Sequence, residues 1–303
     1  PNLTYRFTPR GDQVEQVLAV IRRHAKGAGI VYCLRRTDVD ELAPALARAG
    51  VRCLPYHAGL DAQTRKRNQE RFLAEDIEVI VATVAFGMGI DRPDVRFVVH
   101  ASMPKGVEQF AQETGRAGRD GSQSECVMLY SGADFHGWRS LAERSAQDAL
   151  ASGVALDPLE AQRSLERLSE MYGFATNAIC RHRFLVEHFG QHFERPAELD
   201  ESLRGCGACD VCLGELAAVP DAQRSAQMIL SCVVRCSQRY GAQHIADVLR
   251  GADTERIRTA GHDTLTTFGL MKGANAREIR HWIEQLVGLG HLQVAPGQYP
   301  KLA

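Results

Sequence analysis

The chain of 303 residues carries 36 Lys and Arg against 37 Asp and Glu, a net charge of -1, with 45% hydrophobic and 24% charged residues. That length supports a sizeable core in two or three domains, and the charge balance excludes a globally basic chain, so any contact with nucleic acid must come from local patches and weaken with salt. No run of about eighteen apolar residues and no signal-peptide pattern appears, and nine cysteines in such a chain read as thiols and metal ligands rather than a disulfide framework.

Five short apolar runs, near Gly29 to Leu34, Val51 to Tyr56, Val79 to Thr83, Phe97 to His100 and Cys126 to Tyr130, alternate with helical patterns such as Asp12 to Lys26 and Asp38 to Ala49. This alternation predicts a parallel sheet with helices on both faces over residues 1–134. The third run leads to Gly87 and Gly89, as a buried strand entering a loop would, and ligands of open parallel sheets bind beyond the carboxyl ends of strands. There Thr83 can donate a hydroxyl to a nucleic-acid phosphate and Asp91 can accept from a ribose; an ordinary turn at Asp91-Arg92-Pro93 is the alternative. Arg65, Lys66, Arg67 and Arg71 read as a solvated helix face or a phosphate contact.

Gln112-Glu113-Thr114-Gly115-Arg116-Ala117-Gly118-Arg119-Asp120-Gly121 sets two guanidinium groups three residues apart, able to share one side of a helix or tight turn. Arginine is a planar, permanently charged fork matched to phosphate oxygens, as phosphoryl transfer requires. A solvated Gly/Arg-rich turn is the bland alternative. No Gly-x-x-x-x-Gly-Lys-Ser/Thr loop and no Asp-Glu-x-His motif occurs in the sequence, so these residues read as half of an ATP site.

Helical patterning runs from Phe135 to Gly190, broken near Gly153 and Pro158, and opens a second domain over 135–216. The polar stretch Glu194 to Gly205 leads to Cys206, Cys209 and Cys212, with two residues between each and the next. Cys180, on an apolar helix from Ala178 to Phe189, is the fourth ligand that would complete a closed four-sulfur zinc site. An iron-sulfur cluster is the rival, although there a further cysteine and proline follow closely and here Leu213-Gly214 does. Cys232 and Cys236, one helical turn apart, could mimic a ligand pair but read as core thiols, as do Cys33, Cys53 and Cys126 in strand patterns. Helical patterns at Ala222 to Tyr240, Ala242 to Gly251 and Asn275 to Gly288, then a hairpin from Leu292 to Tyr299 turning at Pro296-Gly297, predict a winged helix over 217–303. Arg256, Arg258, Lys272, Arg277, Arg280 and His281 surround its expected duplex-facing helix, and Trp282 reads as core.

The segments Ala82 to Asp91 and Gln112 to Gly121 resemble motifs V and VI of the RecQ family of DNA helicases. Gly29 to Cys33 and Tyr56 to Leu60 are similar to its motif IV region, and the similarity continues through nearly the whole chain. One departure is Leu34-Arg35-Arg36: the family has a small polar residue before the arginine, so Arg36 fits and Arg35 is an extra charge. The resemblance implies an α/β RecA-like parallel-sheet lobe, an α-helical zinc-binding domain and a winged helix. It implies an intracellular ATP- and Mg2+-dependent 3′–5′ helicase of recombination and repair, acting on forked duplex and single strands. Arg116 and Arg119 would be the catalytic pair at the γ-phosphate, with Gly89, Asp91 and Gln112 toward the nucleotide. Arg36, His57 and Thr83 would hold single-stranded DNA, while Arg256, Arg258, Arg277, Arg280 and a wing residue, Tyr299, would meet the duplex. Zn2+ would sit on Cys180, Cys206, Cys209 and Cys212. The start at Pro1-Asn2 and the missing phosphate loop read as an absent N-terminal RecA-like lobe, which becomes a partner beside DNA and single-strand-binding protein. The chain alone is then expected to bind DNA without hydrolysing ATP. The residues leave two other readings open: a non-catalytic zinc and winged-helix DNA adaptor with a relic motor lobe, and an iron-sulfur redox regulator.

Overall fold

The computed structural model describes residues 2–25, 27–86, 92–151, 158–197, 199, 205–216, 221–295 and 301–303. The chain divides into two compact units, Pro1–Glu215 and Leu216–Ala303. In the first, six parallel strands form one sheet: β1 (Leu3–Pro9), β2 (Ala28–Tyr32), β3 (Cys53–Tyr56), β4 (Val79–Ala82), β5 (Val95–His100) and β6 (Ser124–Tyr130), in the order β1-β6-β5-β2-β4-β3. Every residue of β2, β4 and β6 is buried, as expected of parallel strands covered on both faces. Val31 lies between Val81 and Val99 in register.

The covering helices are α1 (Gln13–Arg23), α2 (Arg36–Arg48), α3 (Ala62–Leu73) and α4 (Val107–Thr114). Asp12 caps α1 by accepting the Glu15 amide at 3.1 Å, and Arg22 and Arg23 in its last turn suit the helix dipole. Val17, Leu18 and Val20 then join Val39, Leu42, Leu46, Phe97 and Val99 in one apolar cluster. The sequence reading of five strands missed β1. Its apolar residues alternate, with Tyr5 and Phe7 buried between less buried Thr4, Arg6 and Thr8, the period of a one-sided strand rather than a continuous apolar run.

After β6 come α5 (Gly132–Ala151), α6 (Pro158–Thr176) and α7 (Arg181–His188). Pro158 opens α6, where a missing amide hydrogen costs nothing; Gly153 lies outside the described residues. Phe7 meets Phe110 of α4 and Phe174 of α6 edge-on, at 5.4 and 4.9 Å between centroids, so aromatic packing docks α6 onto the sheet. The helix predicted from Ala178 starts only at Arg181, because Cys180 caps it: the sulfur accepts the Arg183 amide at 3.5 Å.

The second unit holds α8 (Ala222–Arg235), α9 (Ala242–Arg250), α10 (Glu255–Thr259), a single 3-10 turn (His262–Thr264), α11 (Ala276–Gly288), and β7 (Val294–Ala295) paired antiparallel with β8 (Lys301–Leu302). Helices plus a terminal two-stranded ribbon make the predicted winged helix. Its core joins Ile229, Cys232, Val233, Ile245, Leu249, Ile257, Ile279 and Ile283, with Trp282 partly buried against it. The helix predicted to reach Tyr240 stops at Arg235, since Ser237 and Gln238 take positive φ of 57° and 55°. The five residues of α10 were not anticipated. The returning strand lies at 301–302, and the predicted turn Pro296-Gly297 falls outside the described residues. Among the described residues no helix is long and apolar enough to cross a membrane.

Candidate functional site

Three predicted DNA contacts follow the carboxyl ends of β2, β3 and β4, which are neighbours in the sheet. Arg36 is exposed at the first position of α2, and its stem lies so near Gly59 that an added Cβ there would be 3.3 Å from Cδ. His57, directly after β3, is buried. Its Nδ1 accepts the Gly59 amide at 3.1 Å, so the ring hydrogen sits on Nε2 and is donated to Asp40 Oδ1 at 2.9 Å. His57 therefore orders the loop on which Arg36 rests instead of projecting from it. Thr83, directly after β4, is pinned through its amide to the Tyr56 carbonyl at 3.1 Å. Beside this edge Arg10, Gln13, Leu34, Arg35, Asp38, Ser102 and Asp134 line a cavity of about 240 Å³. The extra charge of Arg35 faces it, and Arg10 pairs with Asp134 at 2.7 Å. Burial raises the Asp134 carboxyl against the opposing pull of Arg10.

The two predicted arginine fingers lie in turns that follow α4. Gly118 has φ +61°, and a Cβ there would lie 2.4 Å from Asn2 Nδ2 and 2.8 Å from the Ser122 carbonyl, so only glycine fits. Its amide donates to the Val95 carbonyl at 2.9 Å and Asp120 pairs with Arg96, tying the turn to the start of β5. The two guanidinium groups do not share one environment. Arg116 is 8% exposed; it lies beside the Tyr32 phenol, and its buried Nε has no hydrogen-bond partner among the described residues. Arg119 is exposed and donates from Nε to the Gly115 carbonyl at 3.3 Å. Beneath them Glu113, buried, meets His100 Nε2 at 2.7 Å and accepts from Gln109 at 3.0 Å. Tyr32 stacks on His100 at 5.5 Å. Gln112 is exposed on α4; Gly89 and Asp91 lie outside the described residues.

The cysteine site assembles as the spacing predicted. The sulfurs of Cys180, Cys206, Cys209 and Cys212 lie within 4.8 Å of one another. Backbone amides point at the sulfurs, Arg183 at Cys180 (3.5 Å) and Ala208 at Cys206 (3.4 Å), and His182 Nδ1 approaches Cys206 at 3.2 Å. Hydrogen bonds from Cys180 and Cys206 lower Cys209 toward the thiolate, against the effect of its burial. Gly205, at φ +57°, leaves room for this: a Cβ would be 2.5 Å from Cys212 Sγ. Four sulfurs in a closed group, with donors on the thiolates, fit a structural zinc site.

The sequence reading missed what holds the site. Arg181 and Asp210, 2% exposed each, form a forked ion pair, Nε to Oδ1 at 2.9 Å and Nη2 to Oδ2 at 3.2 Å. Arg181 Nη1 also donates to the Phe174 and Asn177 carbonyls at 2.7 and 2.8 Å, and the guanidinium lies 4.3 Å from the Phe7 ring. Asp210 Oδ2 accepts the Phe7 amide at 2.9 Å, and the cysteine loop continues the sheet through a bridge from Tyr5 to Cys209. These partners are far apart in sequence; their only local signal is charged residues beside metal ligands.

In the second unit Arg256 is exposed, 5.7 Å from the Tyr240 ring. Arg258, also exposed, pairs with Asp253. Arg277 and Arg280 are exposed on α11, and Tyr299 lies outside the described residues.

Three family models match successive parts of the chain: the helicase conserved C-terminal domain at residues 12–121, RecQ zinc-binding at 132–213 and the RQC domain at 218–303. The ATP-dependent DNA helicase RecQ of Bacillus subtilis is 36% identical over 301 residues, covering 99% of this chain and 48% of that protein. Its namesake in Pasteurella multocida is 33% identical over 296 residues, 97% of this chain and 43% of that protein. The chain thus spans under half the length of these curated relatives. Among solved structures, the E. coli DEAD-box protein SrmB, bound to regulator of ribonuclease activity A, is 25% identical across 43% of this chain and 76% of that one, with a TM-score of 0.38. With a helicase lobe, a RecQ-type zinc domain and an RQC domain in one order, and relatives aligned along nearly its full length, the chain belongs to the RecQ family of DNA helicases.

Proposed function

We propose that this chain forms the second RecA-like motor lobe (residues 1–134), the zinc-binding helical domain (135–216) and the duplex-holding winged helix (217–303) of an ATP- and Mg2+-dependent 3′–5′ DNA helicase of recombination and repair. The observation that carries the reading is the convergence of Arg36, His57 and Thr83 beyond the carboxyl ends of three adjacent strands. Arg36 supplies charge and Thr83 a hydroxyl to successive phosphates of the tracking strand, while His57 fixes the loop against which the Arg36 stem rests. Arg116 and Arg119, with Gln112, Gly89 and Asp91, complete a nucleotide pocket whose phosphate loop belongs to a first RecA-like lobe. The Arg116 Nε, buried and without a hydrogen-bond partner among the described residues, is a donor already desolvated for an anion. Arg256, Arg258, Arg277, Arg280 and Tyr299 meet the duplex side of a fork. The working partners are DNA, the first lobe and single-strand-binding protein, inside the cell, in the cytoplasm or nucleoid if that cell is bacterial.

The test is a salt series of forked-DNA binding by the chain and by Arg36→Ala with Thr83→Val. Loss of two phosphate contacts should weaken binding, and loss of the one cationic contact among them should reduce the slope of log affinity against log salt by about one. An unchanged slope and affinity would refute the strand assignment. The pure chain should bind DNA without turning over ATP, and measurable turnover would contradict the half-site reading.

A further inference from the structure

The second unit buries two imidazoles against a cysteine of its apolar core. Cys236 caps α8, His244 lies on the first turn of α9 and His262 opens the 3-10 turn. They are 0%, 5% and 8% exposed, and one ligand atom of each lies within 4.8 Å of the other two. His244 Nε2 and His262 Nδ1 are 2.8 Å apart. Only one hydrogen fits between two neutral rings at that distance, so at least one of the facing nitrogens presents a lone pair. Tyr240 stacks on His244 at 4.1 Å and meets His262 edge-on at 4.8 Å, which holds both ring planes.

We propose that Cys236, His244 and His262 form a second metal site, independent of the four-cysteine site, that takes Zn2+ on one thiolate and two neutral imidazoles. The donor set selects the ion: a soft sulfur with two borderline nitrogens suits zinc, and the absence of any carboxylate from the group disfavours calcium and magnesium. Zinc bonds of about 2.3 Å to sulfur and about 2.0 Å to nitrogen place tetrahedral ligand atoms roughly 3.3–3.6 Å apart. The two nitrogens, 2.8 Å apart, must therefore part by about half an ångström, and the sulfur, within 4.8 Å of the other ligand atoms, must settle at about 3.5 Å from each. Cys232, fully buried one turn before Cys236, or a water takes the fourth position. Bound there, the ion joins the end of α8, the start of α9 and the turn after α10.

The experiment is zinc content of the untagged, purified chain by atomic emission, after equilibration with zinc and desalting. Two zinc ions per chain are expected, falling to one in Cys236→Ser and in His244→Phe. One zinc in the unaltered chain, or two retained in both variants, overturns the proposal. Should the variants fail to fold by circular dichroism, cobalt titration of the unaltered chain decides. A one-thiolate, two-imidazole site gives ligand-field bands at shorter wavelength than a four-thiolate site, so two sets of bands filling in sequence support the assignment. A single set overturns it.

Discussion

Replacing Arg181 by Met removes the cation that holds the cysteine loop against the sheet. The Asp210 carboxylate keeps the Phe7 amide at 2.9 Å and the Val211 amide at 2.8 Å but loses both guanidinium bonds. Two carbonyls, of Phe174 and Asn177, lose their donors as well. Breaking a buried pair from one side costs about 3–5 kcal/mol because the remaining charge stays desolvated. The cation-π contact with Phe7 is replaced by the Met thioether, so packing changes little. Arg181→Met should therefore destabilise the first unit by about 4 kcal/mol. Asp210→Asn keeps the shape without the charge, and combined with Arg181→Met it should recover about 2 kcal/mol of the summed single costs, a coupling within the range for groups in direct contact. Urea titrations of the cobalt-loaded chain, followed by the thiolate charge-transfer absorption of the four-cysteine site, report this unit. A cost below about 1 kcal/mol for Arg181→Met, or additivity within about 0.5 kcal/mol, would refute the argument.

Gly205→Ala places a Cβ against Cys212 Sγ and a side chain at φ +57°, which costs about 1–2 kcal/mol from the backbone alone; zinc should leave the four-cysteine site faster to a chelator, and an unchanged release rate counts against it. Burial alone would raise the Glu125 carboxyl, but hydrogen bonds from His24 and Arg23 with the charges of Arg23 and Arg6 hold it at about 2 against an ordinary 4.5. Because the folded state depresses this value, its stabilisation is present above pH 4.5 and fades as pH falls toward about 2. Thermal unfolding of Glu125→Gln should lose part of that acid dependence, and parallel curves for the two proteins would exclude the assignment. In a full-length helicase carrying this chain, Arg119→Ala should abolish ATP hydrolysis while sparing DNA affinity, as measured by steady-state turnover and fork binding.

The elements that the sequence makes legible are those whose signal is local. Val79 to Ala82 is apolar at every position, and three cysteines at fixed spacing announce a metal without any tertiary knowledge. β1 escaped because Leu3, Tyr5 and Phe7 alternate with polar residues, and a search tuned to continuous apolar runs passes over a strand that is half covered. His57 shows the limit at the candidate site: adjacency to a motif cannot tell a side chain that reaches DNA from one turned inward onto Asp40, 17 residues away. Arg116 and Arg119 are three residues apart, yet turns after Thr114, not a continuing helix, send one into a buried setting beside Tyr32 and leave the other exposed. Cys236, His244 and His262 have no motif spacing, and only the packing of three separate elements brings them together.

β1 is the terminal strand of the sheet, and Tyr5 donates its amide to the Ala208 carbonyl at 3.2 Å while its own carbonyl receives the Asp210 amide at 2.9 Å. The loop that grips zinc is thus also the shield on an open flank. Stripped of metal, that loop would loosen and leave a bare row of amides and carbonyls of the kind that recruits strands from other molecules. Chelation should therefore show itself as self-association, with the ion acting as a guard against aggregation as much as a clasp on the helices.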